Sequence, residues 1–470
     1  MHGSHPGNPE RDDGAGSRRD SATELLYGLD DKPPLRETLF VALQHVFAVF
    51  VGIITPPLII CNALKLDRAS TVFLVSMSLF VSGLATLIQT HRIGPVGSGL
   101  LSIQGTSFVF LGPIISTAGL SIAAGASATR ALAMIFGVCL AGSLVAITMS
   151  QFIRLATRVI TPLVTGTVVT LIGLTLIEVG ITSVGGGFDA RRDGSFGSPQ
   201  NLLLAGVVVA VIVALNSSSI PQLRMTSVVI GLGAGYLAAF LMGRVDLRGL
   251  AELPPIAVPV PLRYGLGFNP GAFLPFAFLY VITVIESIGD LTATSLLTDQ
   301  PIQGEVYFRR LRSGILADGI NSLLAACFNS FPSTTFAQNN GVIQLTGVGS
   351  RHVGTFIGVI LMLLGLFPVV GGLVQALPQS VLGGATIIMF GTVAVAGIRI
   401  LAGVNMNRRS SMVVAVSLGL GLGVTFVPDI LRALPELPRN TFASGIATGG
   451  MCALLLNAIL PGSSTPQSNR

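Results

Sequence analysis

Apolar residues in this chain come in long blocks, not in the alternation of a half-buried strand or the one-sided stripe of a surface helix. Eleven blocks stand out, at residues 38–64, 71–89, 131–149, 159–179, 202–215, 227–241, 273–288, 353–373, 382–400, 410–427 and 442–460. A helix needs about twenty residues to cross the hydrocarbon of a bilayer, and most of these blocks reach or approach that length. Three further blocks, 96–119, 311–327 and 331–345, break the pattern. The first has Gln104, Gly105, Thr106 and Ser107 at its middle, the second carries Asp318 and Asn321, and the third is mostly small and polar. Together the blocks predict an all-α polytopic membrane protein of about fourteen spans. Irregular or polar backbone at membrane depth is tolerated only where it is buried in protein or lines a cavity. The three irregular blocks are therefore where function is expected.

Composition narrows the class further. Of 470 residues, 51% are hydrophobic and 10% charged, against about 25% charged in ordinary soluble domains. The 57 glycines are spread through the apolar blocks, as in helices that pack backbone against backbone. Several of the 26 prolines, among them Pro56, Pro57, Pro113 and Pro332, lie inside those blocks and point to broken helices around a cavity. Cys61, Cys139, Cys327 and Cys452 have no paired spacing, which argues against a disulfide framework or a thiolate metal site. The net charge of +6 comes from arginines scattered between blocks, so topology explains it better than nucleic-acid binding. Counting Lys and Arg on alternate sides of fourteen spans gives 17 against 10. By the positive-inside rule both termini then lie in the cytoplasm. Residues 1–34 read as a disordered polar tail and 462–470 as a second one, with no cleavable signal peptide at the start.

Few side chains are left to carry chemistry. Glu286 and Asp290 are four apart, which puts both carboxylates on one helix face. Glu286 lies well inside its span, where a charge costs about 2.5–3.5 kcal/mol by insertion scales. It reads as a ligand-binding or proton-accepting group; the plainer reading is a neutral acid tying helices together. Asp318 is as well explained by an interhelical hydrogen bond as by function. His45, beside Gln44, titrates near neutral pH in water, but a lone histidine in an apolar helix more often supports than acts. Pro332 and the residues after it disfavour helix, and Gln338 to Gly341 then look like a helix start with free N–H groups. A polar ring solute needs paired donors and acceptors, and the Gln338 amide offers both; a surface loop is the plainer alternative. Thr106-Ser107-Phe108 is echoed by Thr334-Thr335-Phe336. In a fourteen-span chain these occupy equivalent positions of two inverted halves, a pointer to a transporter's midplane site. Phe108 offers a flat apolar face for stacking. No nucleophile–base pair or metal-ligand cluster stands out, so an enzyme, a cofactor and a metal are not expected.

The stretch from Gln338 to Gly347, with Gln338, Asn339, Gly341, Thr346 and Gly347 at its fixed positions, resembles the signature of the nucleobase–ascorbate transporter family. Gln44-His45, Gln104 to Phe108, Glu286 to Asp290 and Ala317-Asp318-Gly319 resemble further family motifs, in order and at suitable spacing. The resemblance runs from about residue 34 to 460, and the lead-in Leu29 to Pro34 is most similar to bacterial xanthine permeases. It implies fourteen helices in two inverted seven-helix repeats, with short strands in the third and tenth. The core domain would be 35–150 and 266–376, and the gate domain 151–265 and 377–461. The core would move against the gate in an elevator motion, and the gate would make a homodimer. Glu286 and Gln338 would bind the base edge with help from the Ala337 backbone, and Phe108 would stack on the ring. His45, Ser107, Asp290, Asp318 and Asn339 would serve proton coupling and site geometry. Ser107 stands where some members carry Asn, a position associated with substrate range. The implied function is proton-coupled import of a purine across a bacterial inner membrane, xanthine before urate. The alternatives are a uracil or broader nucleobase carrier, or an anion transporter or channel of the same architecture.

Overall fold

The computed structural model describes residues 25–247 and 250–460. Of the expected tails, residues 1–24 of the first and all of 462–470 lie outside the described residues. The first half runs α1 (Leu35–Ala63), α2 (Arg68–His91), strand β1 (Gln104–Thr106), α3 (Leu111–Ala123), α4 (Ala128–Gln151), α5 (Ile153–Val159), α6 (Pro162–Val184), α7 (Gly187–Asp193), α8 (Pro199–Asn216) and α9 (Pro221–Leu241). The second runs α10 (Pro270–Leu297), α11 (Gly304–Cys327), strand β2 (Ser333–Thr335), α12 (Gln338–Thr346), α13 (Arg351–Leu366), α14 (Pro368–Gln375), α15 (Gln379–Ala402), α16 (Arg408–Phe426), α17 (Glu436–Phe442) and α18 (Gly445–Ile459). Among the described residues nine helices are long and apolar enough to cross a membrane, or ten if α13 and α14 count as one broken span. The protein is a mostly helical membrane protein.

Local chemistry sets many of the helix starts. Asp67, Ser127, Ser198, Asn269 and Asn407 each accept a hydrogen bond from a backbone N–H in the first turn of α2, α4, α8, α10 and α16, satisfying a donor the helix leaves free. Pro162, Pro199, Pro221 and Pro270 occupy first helical positions, where a missing N–H costs nothing. The block at 353–373, read as one span, is two helices bent by 75°. Its break falls at Phe367-Pro368, since proline has no N–H to give and pushes the residue before it out of helix. The block at 311–327, irregular by composition, is continuous helix within α11. Its polar residues Ser313, Asp318, Asn321 and Ser322 are buried.

Burial separates inner from outer helices. Of the apolar window of α2, 78% is buried, and of that of α8 and α16, 28%. Glycines set the closest approaches. A Cβ on Gly173 or Gly397 of the α6–α15 pair would lie 2.2 Å from a backbone nitrogen of the facing helix, and one on Gly83 of α2 would lie 2.4 Å from the Gly358 carbonyl of α13. Small residues at such interfaces let membrane helices pack by dispersion alone. Residues 25–34, read as part of the tail, are held against the α12–α13 connection. The Leu26 and Tyr27 N–H groups donate to the Gly347 carbonyl, Ser350 Oγ donates to the Asp31 carbonyl, and Arg351 pairs with Asp30.

Candidate functional site

The two short strands meet at the centre of the inner helices. They pair antiparallel, Gln104 opposite Thr335, Gly105 opposite Thr334 and Thr106 opposite Ser333, and all six residues are buried. A two-stranded ladder leaves outer edges unpaired, and in a dry interior each edge needs partners. Helix hydroxyls supply them at matched places. The Gln104 N–H donates to Thr86 Oγ1 of α2 (3.0 Å), and the Ser333 N–H donates to Ser322 Oγ of α11 (3.1 Å). Phe336 closes the ladder: a Cβ on Gly105 would lie 2.5 Å from its ring and one on Gly52 of α1 2.6 Å. Only glycine at both positions leaves room for that ring.

Each strand leads into a helix that starts at this centre. After β1 the chain turns through Phe108–Phe110 into α3, and after β2 through Ala337 into α12. At α12 the Ala337 and Gln338 N–H groups come before the first backbone bonds, which run from the Asn339 N–H to the Phe336 carbonyl and from the Asn340 N–H to the Ala337 carbonyl; N–H groups at a helix start carry partial positive charge. The Phe108 ring stacks near Phe336 (6.4 Å, 22°) and meets Phe390 of α15 edge-on (5.2 Å, 85°).

Helix α10 brings its carboxylates to the same place, and they are not equivalent. Asp318 of α11 accepts from Ser287 Oγ and, at 3.4 Å, from Gln89 Nε2 of α2. Asp290 accepts from Thr335 Oγ1 of β2 at 3.0 Å. One turn further on, Thr294 Oγ1 donates to Asn340 Oδ1 of α12 (2.7 Å). Ser287, Asp290 and Thr294 thus form one stripe of α10 bonded to α11, β2 and α12. Glu286 shares a helix face with Asp290, but its Oε2 is buried without a hydrogen-bond partner.

Other polar atoms near the strands share that state. Ser107 Oγ, Thr106 Oγ1, Gln104 Nε2 and both ring nitrogens of His45 are buried and unpartnered. His45 faces Asn339 without completing a hydrogen bond: Asn339 Oδ1 is unpartnered, while its Nδ2 donates to the Leu101 carbonyl at 2.5 Å. Buried polar groups are as a rule hydrogen-bonded. A concentration of unpartnered ones at one point marks a surface suited to a polar solute. Gln338 and Ala337 are half-buried at the start of α12. Sequence reasoning missed Thr86, Gln89 and Ser322, which hold the strands and Asp318. Their signal was a polar residue in an otherwise apolar helix.

Two cavities flank this centre. One of about 500 Å³ is lined by Phe108, the C-terminal part of α6 (Thr175 to Val179) and the first turns of α10 as far as Leu279. Another, of about 920 Å³, is lined by the start of α6 (Pro162, Thr165) and the later turns of α10 from Ile288. Both run between α6 and α10, at opposite ends. Leu279 and Ile288 are about 13 Å apart along the helix axis, and Glu286 lies between them. Among the described residues no group of three His, Cys, Asp or Glu is placed to hold a metal.

A family model described as the permease family matches residues 36–430. The chain belongs to the nucleobase–ascorbate transporter family of permeases. It is 50% identical over 442 residues to the xanthine permease XanP of Escherichia coli (strain K12), covering 93% of this chain and 95% of that one. It is 43% identical to the xanthine permease XanQ of the same organism (94% and 95% covered) and 34% identical to the uric acid permease PucJ of Bacillus subtilis (88% and 91%). Among solved structures the fold is similar to SLC26A9 (TM-score 0.60, 12% identity, 90% of this chain and 66% of that one). It is also similar to the transmembrane domain of the cyanobacterial bicarbonate transporter BicA (TM-score 0.53, 15% identity, 92% and 99%). At such identities the likeness concerns the fold alone. The protein is a permease and not an enzyme, and the permease relatives support a nucleobase as its cargo.

Proposed function

We propose that this permease is a proton-coupled symporter that imports a purine, with xanthine as the main substrate and urate as a second. The observation that carries the reading is the buried, unpartnered Glu286 Oε2 beside two carboxylates that are already engaged. A purine edge offers ring N–H groups to Glu286 and carbonyls to donors, and a buried charge-assisted hydrogen bond is among the strong ones. Gln338 supplies a donor and an acceptor from one amide, and the Ala337 and Gln338 N–H groups, which precede the first backbone bonds of α12 (Asn339 N–H to Phe336 and Asn340 N–H to Ala337), favour a carbonyl oxygen. Phe108 stacks on the ring, and Ser107 sets how much room the substituents have. Asp318, Asp290, Asn339 and His45 hold the geometry and take part in coupling. The half-chain echo around β1 and β2 supports two inverted seven-helix repeats. In this reading the core (35–150 and 266–376) moves as an elevator against the gate (151–265 and 377–461). The gate also pairs two copies, in a bacterial inner membrane with both termini cytoplasmic. The opposed cavities support alternating access. Relatives named for xanthine and uric acid transport support the substrate class.

The test is uptake of labelled xanthine into cells expressing the chain, with and without an uncoupler, competed by unlabelled urate, uracil and guanine. Uncoupler-sensitive uptake blocked by xanthine and, more weakly, by urate is expected. Uptake blocked best by uracil would move the substrate to a pyrimidine. No base uptake from protein present in the membrane would send the function to anion transport on the same fold.

A further inference from the structure

The smaller cavity contains a charge that the site described above does not use. Its walls come from α3, the C-terminal end of α6, the start of α10, the C-terminal end of α16 and the start of α18. Along the strand-to-helix segment Phe108 is the lining residue nearest the strands, and Gly112, Ser116 and Leu120 follow at one-turn intervals toward the other end. The cavity is therefore a passage that reaches Phe108. Of the described residues that line it, Glu178 alone carries an ionisable side chain; the rest are apolar, glycine, proline, Asn, Ser or Thr. Glu178 is exposed, and no salt bridge among the described residues engages it. It lies in α6 at Leu176-Ile177-Glu178-Val179, where its neighbours are apolar.

A single carboxylate in a passage with largely apolar walls acts differently from one on an open surface. Such walls focus the field into the water of the passage, so the local concentration of anions falls and that of cations rises. At an effective dielectric of about 20 two unit charges 6 Å apart still interact by several times the thermal energy. A neutral purine passes that point without penalty; a monoanion does not. Urate is a monoanion near neutral pH, whereas xanthine is mostly neutral in mildly acidic medium.

We propose that Glu178 is an electrostatic filter in the passage to Phe108, which disfavours anionic solutes and so biases the permease toward the neutral purine. As a statement about purines this rests on the proposed transport function; as a statement about the passage it does not. Two measurements separate the levels. In the first, a cysteine is placed at Ser116, on the α3 wall of the same passage. The rates of its modification by a cationic and an anionic methanethiosulfonate are compared, with the signal of the parent chain subtracted. Glu178→Gln is expected to lower the cationic-to-anionic rate ratio about 5-fold and Glu178→Lys to invert it, and both effects should shrink in 1 M salt as the charge is screened. A ratio indifferent to residue 178 would overturn the filter. In the second, Glu178→Gln is expected to lower the KM for urate about 3- to 10-fold while leaving the KM for xanthine at mildly acidic pH unchanged. Equal changes for both purines would overturn the role in selectivity. A shifted reagent ratio in a protein that carries no purine would leave the filter standing and remove the transport reading.

Discussion

The segments through β1 and β2 are built alike and finished differently. Each is a three-residue strand followed by a helix start, and each has its outer edge tied to a neighbouring helix by one hydroxyl. Beyond the strand they diverge. The first continues Ser107-Phe108-Val109-Phe110 into apolar α3; the second continues Phe336-Ala337-Gln338-Asn339-Asn340 into polar α12. One offers an aromatic face and the other offers amides. Symmetric scaffolding with asymmetric side chains suits a flat solute that is apolar on its faces and polar at its edges. In the proposed reading the scaffold fixes where the site is, and the differences fix what it holds.

The comparison can be broken in order of expected effect. In the proposed reading Glu286→Gln or Gln338→Ala removes a hydrogen bond to the solute edge, and xanthine uptake should fall about 10- to 100-fold, the scale of a lost bond to a charged group. Protein amount in the membrane should not change. Phe108→Ala removes only stacking and apolar contact, so the KM should rise about 10-fold or less, the equivalent of about 1 kcal/mol. A larger loss at Phe108 than at Gln338 would invert the division of labour between the segments. The shared scaffold makes a different prediction. Gly105→Ala would drive a methyl into the Phe336 ring and should cost about 1–3 kcal/mol of stability, read as a lower aggregation temperature in detergent. Gly112→Ala, with nothing within 4 Å, should be near neutral. Thr86→Ala and Ser322→Ala each strand one buried N–H, at about 1–3 kcal/mol. The two losses should match if the two edges are equivalent, and a large difference would show that one strand carries more of the fold.

Much of this was legible in the chain because membrane solvation is a strict constraint. Long apolar blocks have few alternatives to spanning helix, and polar residues inside them stand out. That made Glu286, Asp318 and the two irregular segments around Gln104 and Gln338 visible before any coordinates. Helix continuity was harder to read. The 311–327 block looks interrupted, yet α11 is unbroken, and Asp318 and Asn321 find partners on α2 while Ser322 finds one on β2. The 353–373 block looks continuous, yet Pro368 breaks it. Residues 25–34 read as tail by composition, although a few backbone bonds and the Asp30–Arg351 pair fix them. What separates Glu286 from Asp290 could not be read either. Both stand on one face by spacing, and only packing shows that Thr335 engages Asp290 while Glu286 Oε2 has no partner.

The central claim is that Glu286 Oε2 is without a protein partner because its partner is the solute. The most direct measurement is equilibrium binding of labelled xanthine to purified protein, comparing the parent chain with Glu286→Gln and Asp290→Asn, each checked for thermal stability. The account predicts that Glu286→Gln loses at least about 10-fold in affinity with stability unchanged or raised, since a buried unpaired carboxylate is a cost to the fold. Asp290→Asn should affect stability first, because its carboxylate holds β2. Unchanged xanthine affinity in a folded Glu286→Gln protein would contradict the account.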